Sequence, residues 1–387
     1  MWYFNSPQIV FGEDALTHLA TLSGHLAFIV TDRNMQRLGA VEAVRAQLAQ
    51  AGLAAEVFAE VEPDPSLDTV RRCAAAMQAA GPDWIIGLGG GSCLDAAKAA
   101  WLLYERPDVD PAGINPFDTF GLRAKARLIC IPTTSGTGSE ATWAVVLTDT
   151  AAGRKLALAA RELLPDVAIV DPALTATLPP AQTADTGLDA LTHAIEGYTS
   201  TWRNDFSDGL CLKAAQLIFE HLPRAWAHGG DAEARLHLHN AATIAGLGFG
   251  NSMTGLAHAM GHALGARFGT PHGRAVSLCL PFTIQFIANA GESRYGELAR
   301  FLNLPADNEQ IGAASLVSAV QDLRHGVGQP ATIAGLPVSA EAFAEALPAL
   351  AALAEADTDL VTSPRLPSSD ELRALFECAY DGRDVNF

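Results

Sequence analysis

The chain has 387 residues, more than one hydrophobic core ordinarily holds, so two domains are expected. Its composition, 49% hydrophobic and 18% charged, is that of an ordinary globular protein. The 43 acidic and 25 basic residues give a formal net charge of −18. A surface of this sign repels phosphate backbones, so no nucleic-acid partner is expected.

We expect neither a targeting segment nor a membrane partner. The first residues lack a basic stretch followed by an apolar core, and no apolar run reaches membrane-spanning length. Six cysteines are scattered without a C-x-x-C pair, which predicts reduced and mostly buried thiols. Together these features predict a cytoplasmic protein.

Short β-rich runs alternate with amphipathic, Ala-rich runs in the first half of the chain. Helical runs such as 40–52 and 66–81 each end at a glycine. This alternation predicts a parallel sheet covered on both faces. After residue 180 helical patterns continue to the end, so we predict an α/β domain at 1–180 and an all-α domain at 181–387. The predicted strands lie at 25–32, 83–91, 127–134 and 166–172.

A glycine run, "GLGGGS", follows the second of these strands and precedes a helix. Gly89, Gly90 and Gly91 let the backbone approach a ligand closely, and Ser92 is placed to cap the helix. A helix N-terminus in this position holds a diphosphate; the alternative is a tight turn needed only for packing. Gly87 and Gly89 fit the Rossmann fingerprint, but Ser92 replaces its third glycine.

Two further features point to a nucleotide. Asp32 ends the first predicted strand, where a carboxylate accepts from ribose hydroxyls and repels a 2′-phosphate; the alternative is a helix cap. Arg33, beside it, would partly offset that repulsion. The loop 132–142, here called the hydroxyl loop, carries Ser and Thr donors after another strand. Lys155 is a cation available nearby, or an ordinary surface lysine.

The segment "ADTGLDALTHAIEGY" (184–198) places Asp189 and His193 one helical turn apart in apolar surroundings. A carboxylate and an imidazole with this spacing share one helix face, where both can bind the same metal ion. Asp185 lies one turn before Asp189 on the same stripe.

A second segment, 255–276, repeats this pattern with imidazoles. His258 and His262 are one turn apart, and His272 follows ten residues later. Two such segments predict a divalent metal site with mixed N and O ligands, suited to Fe(II) or Zn(II). Spacing favours His258 and His262 beside the first pair and leaves His272 open.

Four segments, in this order, resemble the iron-containing (group III) alcohol dehydrogenases: "GGGSCLDAAK", "PTTSGTGSE", "TGLDALTHAIEGY" and "GLAHAMGHALGARFGTPHG". The resemblance covers essentially the whole chain. It implies the fold shared with dehydroquinate synthase, an N-terminal NAD-binding domain and a helical metal-binding domain, with the active site between them. It implies metal ligation by Asp189, His193, His258 and His272, with His262 beside the metal as a proton-transfer residue and Asp185 off the metal.

The same resemblance implies the cofactor and substrate contacts. Phe249 resembles an aromatic residue that lines the substrate pocket, and Trp143 is a second candidate for that pocket. Asp64 stands where relatives often carry Asn. The implied cofactor-binding residues are Asp32, Asp64, Gly90, Gly91, Ser92, Asp95, Thr133, Thr134, Thr137 and Lys155.

The predicted activity is NAD(P)-linked oxidation of a small primary alcohol or diol, or the reverse reduction of an aldehyde. A divalent metal, Fe(II) before Zn(II), polarises the substrate oxygen, and hydride passes to the nicotinamide. NAD is favoured over NADP, and a homodimer or larger homo-oligomer is expected. The alternatives are a maleylacetate-reductase-like or glycerol-dehydrogenase-like oxidoreductase, a dehydroquinate-synthase-like lyase, or a nucleotide-binding protein without activity.

Overall fold

The structure is a computed structural model that describes residues 3–152, 154–291 and 293–387. The chain folds into two compact units, one ending at Thr177 and the other beginning at Leu178. In the described part of the chain, no helix is both long enough and apolar enough to cross a bilayer.

The first unit is built on a six-stranded sheet in which every neighbouring pair of strands is parallel, in the order β1-β8-β5-β4-β2-β3. Strands β6 and β7 form a separate antiparallel pair. The strands are β1 (Gln8–Phe11), β2 (Leu26–Val30), β3 (Ala54–Phe58), β4 (Trp84–Gly89), β5 (Arg127–Pro132), β6 (Ala144–Asp149), β7 (Arg154–Ala159) and β8 (Val167–Val170).

The described α-helices between these strands are α1 (Arg33–Arg37), α2 (Ala40–Gln50), α3 (Leu67–Ala80) and α4 (Gly91–Glu105). The start and stop signals of α3 act as the sequence indicates. The Ser66 hydroxyl accepts from the Thr69 N–H, and Gly81 ends the helix in the left-handed region at φ 68°.

The central strands are buried on both faces, as expected for a parallel sheet. Phe28 and Ile85 belong to a core cluster with residues of α3 and α4. Their chain neighbours Ile29 and Ile86 point the other way, into a cluster with α2. This arrangement confirms the predicted α/β architecture.

The four predicted strands are present, but β1, β3 and the β6–β7 pair were not predicted. Strands β1 and β3 form the two edges of the sheet, and most of their residues are partly or fully exposed. Because an edge strand needs no continuous apolar run, its sequence carries little strand signal.

The second unit is helical throughout its described residues, as predicted. Its helices are α5 (Pro180–Thr199), α6 (Asp205–Ala227), α7 (Ala232–Phe249), α8 (Leu256–Phe268), α9 (His272–Ala288), α10 (Tyr295–Phe301), α11 (Glu309–Gly326), α12 (Ala340–Glu355) and α13 (Ser369–Asp381). Helix α5 packs against α6, α7 and α9 and is buried on nearly all sides. Polar groups on α5 are therefore held in a largely water-free interior.

Candidate metal centre and dinucleotide site

Four side chains of the second unit, three of them buried and one partly exposed, converge on one point. Asp189 and His193 come from α5, His258 from α8, and His272 is the first residue of α9. One potential ligand atom from each lies within 4.8 Å of those of the other three. The fourth member of this group is therefore His272, whereas spacing alone favoured His262.

Close helix packing brings the four residues together. A Cβ added at Gly273 would lie 2.1 Å from the carbonyl oxygen of Asp185, so only glycine lets the start of α9 touch α5 here. A Cβ at Gly261 would lie 2.5 Å from a methyl carbon of Val276, which shows that α8 and α9 are equally close. These glycines set the distance between the three helices.

Three buried side-chain atoms of this group make no hydrogen bond within the described chain: Asp189 Oδ1, His193 Nδ1 and His258 Nε2. His193 Nε2 and His272 Nε2 lie 3.9 Å and 3.3 Å from Asp189 Oδ1. Unpaired buried polar atoms are costly, and several of them converging on one point fit a bound cation. One carboxylate and three imidazoles are a donor set for Fe(II), Zn(II) or a similar ion.

The electrostatics of the group favour metal binding. Burial lowers the pKa of His193 and of His258 to about 3, so both rings are neutral near pH 7. Burial alone would raise the pKa of Asp189, but its electrostatic interactions with His193 and His272 outweigh this and hold that pKa below its usual value. Neutral imidazoles and an ionised carboxylate are the forms that bind a metal.

Glu196 is a site residue that the sequence analysis missed. Its buried carboxylate lies 2.5 Å from His258 Nδ1 and also accepts from the N–H groups of Gly255 and Ala257. Burial raises the pKa of Glu196 to about 7, although the two backbone donors oppose this rise. Its position seven residues after Asp189, on the same stripe of α5, was the available signal.

His262 lies beside this group and contacts a separate pair of carboxylates. Its Nδ1 is 2.8 Å from Asp357 Oδ2 and 3.7 Å from Asp359 Oδ2, and its ring stacks on His272 at 5.2 Å between centroids. Burial would raise the pKa of Asp357, but the hydrogen bond with His262 outweighs it and lowers that pKa. Burial and the charge of Asp357 raise the pKa of Asp359.

Three further predicted residues have clear positions. Phe249 stacks on His193 with 4.1 Å between ring centroids and 12° between ring planes. Asp185 is off the group of four and pairs with Arg274, with two N–O distances of 3.1 Å. Trp143 lies in the first unit, immediately before β6, and is half-buried.

In the first unit, the glycine run and the hydroxyl loop pack directly on each other. Gly89 has φ 147°, a conformation that side chains rarely adopt, and α4 begins at Gly91. A Cβ at Gly91 would lie 2.8 Å from Thr137 Cγ2, and a Cβ at Gly90 would touch Thr134. The Thr133 N–H donates to the Gly89 carbonyl, which ties the two segments together.

Asp32 caps α1 in this structure. Its Oδ1 accepts from the N–H groups of Asn34 and Met35, at 2.6 and 3.0 Å. Its Oδ2 lies 3.6 Å from Cys93 Sγ, at the start of α4. Asp32 therefore makes the helix cap that the sequence offered as the alternative, and these hydrogen bonds fix its carboxylate just after β2.

Ser92, Asp64 and Lys155 form a connected group. The Ser92 hydroxyl accepts from the Asp64 N–H at 3.2 Å, and Lys155 Nζ lies 2.8 Å from Asp64 Oδ1. Asp64 has φ 54°, in the left-handed region where Asn and Asp are tolerated better than most residues. Lys155 is thus held beside the start of α4 by Asp64.

Lys98 is a second residue that the sequence analysis missed. It is completely buried, and its ammonium donates to the Ser139 hydroxyl at 2.8 Å and to the Ala144 carbonyl at 3.0 Å. Asp95 accepts from the same Ser139 hydroxyl and from the Val146 N–H. Lys98 and Asp95 therefore join α4 to the hydroxyl loop and to β6, and nothing in the local pattern of α4 marks a buried lysine.

A parallel-sheet unit with a phosphate-type loop and a helical unit with a buried Asp/His group are together typical of metal-dependent dehydrogenases. Family models support this class: "Iron-containing alcohol dehydrogenase" matches residues 6–172, and "Fe-containing alcohol dehydrogenase family, C-terminal" matches residues 183–380. The chain belongs to the iron-containing alcohol dehydrogenase family and is a metal-dependent alcohol dehydrogenase. Members of this family use NAD(P) and a divalent metal.

Individual relatives agree with this assignment. The chain is 38% identical to an NADPH-dependent butanol dehydrogenase of Clostridium saccharobutylicum, over the full length of both. It is 39% identical to aldehyde-alcohol dehydrogenase 2 of Entamoeba histolytica, where the match covers 98% of this chain and 46% of that protein.

Solved structures share the fold. A 1,3-propanediol oxidoreductase is similar with a TM-score of 0.92 and 30% identity, covering 98% of this chain and 100% of that one. A sulfoacetaldehyde reductase of Bifidobacterium kashiwanohense in complex with NAD+ gives 0.87 and 28%, covering 98% of both. The predicted family, fold and enzyme class are thereby confirmed.

Proposed function

We propose that this alcohol dehydrogenase interconverts a small primary alcohol or diol and its aldehyde, at a metal held by Asp189, His193, His258 and His272. The observation that carries this proposal is the convergence of one potential ligand atom from each of these four side chains, three of which hold a buried atom without a hydrogen bond. The butanol and propanediol activities named for two of its relatives support the substrate class.

A metal held by Asp189, His193, His258 and His272 would polarise the substrate oxygen, and a bound nicotinamide would accept or return the hydride. The residues of the chain provide orientation and proton transfer. His262 is the proposed proton acceptor for the alcohol. Asp357 holds its Nδ1, which places the proton of the neutral ring there and the basic lone pair on Nε2.

Phe249 is proposed to line the substrate pocket. Its ring stacks on His193, so it closes one side of the metal centre with apolar surface. An apolar wall suits a short alkyl chain and gives no anchor to a charged substrate. We propose Trp143 as a second pocket residue, following the family resemblance.

The first unit is proposed to bind the dinucleotide, and the second to bind the metal. Gly90, Gly91 and the N-terminus of α4 are the proposed diphosphate cradle, because backbone N–H groups and absent Cβ atoms accommodate an anion there. Ser92, Asp64, Asp95 and Lys155 complete the edge of this cradle. From the hydroxyl loop, the proposed contacts are Thr133, Thr134 and Thr137.

Asp32 is proposed to favour NAD over NADP. Its carboxylate is fixed at the end of β2, where its charge repels a 2′-phosphate. The relatives include both an NADPH-dependent enzyme and a complex with NAD+, so the ratio of kcat/KM for the two cofactors is the deciding measurement. We further propose Fe(II) as the resident metal, a cytoplasmic location and a homo-oligomeric assembly.

A comparison of wild type with His272→Ala tests the proposed site. We would measure metal content and NAD(P)-linked oxidation of a panel of short alcohols and diols. His325→Ala, at an exposed position at the end of α11, is the matched control. We expect about one Fe or Zn per chain in wild type and control, with loss of metal and activity in His272→Ala. Full activity of His272→Ala would overturn the proposed ligand set.

A further inference from the structure

Glu196 is a buried acid that contacts a proposed metal ligand, His258, and is not itself one of the proposed ligands. Its side chain is 8% exposed, and both carboxylate oxygens are used. Oε1 accepts from the Ala257 N–H at 2.6 Å, and Oε2 accepts from the Gly255 N–H at 3.0 Å and lies 2.5 Å from His258 Nδ1. These three contacts join the carboxylate to the residues at the start of α8.

The contact with His258 decides which ring nitrogen faces the metal centre. An ionised Glu196 carboxylate can only accept a hydrogen bond, so beside it the proton of the neutral imidazole resides on Nδ1 and Nε2 carries the lone pair. His258 Nε2 is buried and makes no hydrogen bond within the described chain. Glu196 therefore holds the His258 ring through Nδ1, and Nε2 is the nitrogen left for the metal.

We infer that Glu196 is a positioning residue of the metal centre, whose carboxylate fixes the tautomer and orientation of His258 and so sets the affinity for the metal. This inference rests on the proposed ligand set. A carboxylate that accepts from the outer nitrogen of a ligating histidine raises the basicity of the ligand and restricts its ring.

The position of Glu196 on α5 strengthens this inference. Asp189, His193 and Glu196 follow at intervals of four and three residues, so they lie on one face of the same helix. One rigid element therefore carries two ligands and the group that orients a third. A Cβ at Gly255 would lie 3.1 Å from Glu196 Oε1, so the glycine there leaves room for the carboxylate against α8.

A double-mutant cycle tests the inference through metal affinity, without reference to turnover. Metal-free wild type, Glu196→Gln, His258→Ala and the double variant would be titrated with Zn²⁺ against a chromophoric chelator. Glu345→Gln, at an exposed position of α12, is the control for loss of one negative charge. The far-UV circular dichroism of each metal-free variant would be recorded beside its affinity.

We expect Glu196→Gln to weaken Zn²⁺ binding by about 10- to 100-fold when His258 is present. In the His258→Ala background the same change should matter by about twofold or less, because the group that Glu196 orients is gone. The control should bind like wild type. If Glu196→Gln does not fold, Glu196→Asp, which keeps the charge and shortens the reach, takes its place in the cycle.

Two results would overturn the inference. One is equal weakening in both backgrounds, since Glu196 would then act through general charge or fold stability. The other is wild-type affinity in Glu196→Gln. If wild type itself binds no Zn²⁺, the proposed ligand set is wrong. This outcome differs from a wild type that binds Zn²⁺ with an affinity that does not depend on Glu196.

Discussion

Gly273 offers a sharp test of how the metal centre is built. It follows His272 directly and faces α5, where an added Cβ would lie 2.1 Å from the Asp185 carbonyl oxygen and 2.8 Å from Asp189 Cβ. Ordinary contact begins near 3.4 Å, so the new methyl would be more than an ångström too close to a backbone atom. Backbone atoms cannot rotate away, so Gly273→Ala must push the start of α9, and His272 with it, away from α5.

The displacement of His272 determines the effects that we expect of Gly273→Ala on stability, kcat and metal content. Overpacking of this kind typically costs about 1–3 kcal/mol in the free energy of unfolding. A misplacement of about 1 Å in a catalytic site can lower the rate by ~10²-fold, and we expect kcat for alcohol oxidation to fall by about that factor. Metal content should fall too, because His272 is displaced from its three partners.

Gly209→Ala is the matched control, since it makes the same change inside α6. Gly209 is exposed, and nothing lies within 4 Å of its added Cβ. This control should keep wild-type kcat and gain about 0.4–1 kcal/mol of stability from the reduced entropy of the unfolded chain. The assays are urea unfolding, metal analysis and steady-state kinetics. Wild-type kcat, metal content and stability in Gly273→Ala would refute the claim that contact between α9 and α5 positions His272.

Three other perturbations have definite expected outcomes. Lys98→Met leaves buried acceptors beside Lys98 unpaired. We therefore expect the free energy of unfolding in urea to fall by about 1–3 kcal/mol and the KM for the dinucleotide to rise. An unchanged KM would show that the hydroxyl loop is not part of the cofactor site. Asp357→Asn leaves the His262 imidazole poorly oriented, so kcat should fall by about tenfold or more and the pH profile of kcat should shift. A change in KM alone would contradict this. The metal-free protein should lose stability as pH falls from about 6.5 towards 3, because burial lowers the pKa of His193 and His258 to about 3 and only the unfolded chain takes up those protons. Glu196, with its pKa raised by burial to about 7, opposes this between about 4.5 and 7, and unfolding that is independent of pH from 6.5 to 4.5 would contradict the net effect.

The features that the sequence determined by itself are local. An i, i+4 pair on a helix is fixed by the helical repeat, so Asp189 and His193 could be recognised as neighbours before any tertiary structure. Strand, glycine run and helix likewise follow from short-range patterns, and they identified the turn at Gly89–Gly91. Four ordered segments then sufficed for the family, and through it for the fold and the class of reaction.

Tertiary structure decided which residues, distant along the chain, contact one another at the two sites. His262 and His272 are both compatible with the spacing of α8 and the loop after it, and the close approach of α9 to α5 brings His272 into the group of four. The carboxylate of Glu196 on His258 and the ammonium of Lys98 on the hydroxyl loop join residues 62 and 41 positions apart. Contacts at such separations depend on how elements pack in three dimensions, which periodicity along the chain does not encode.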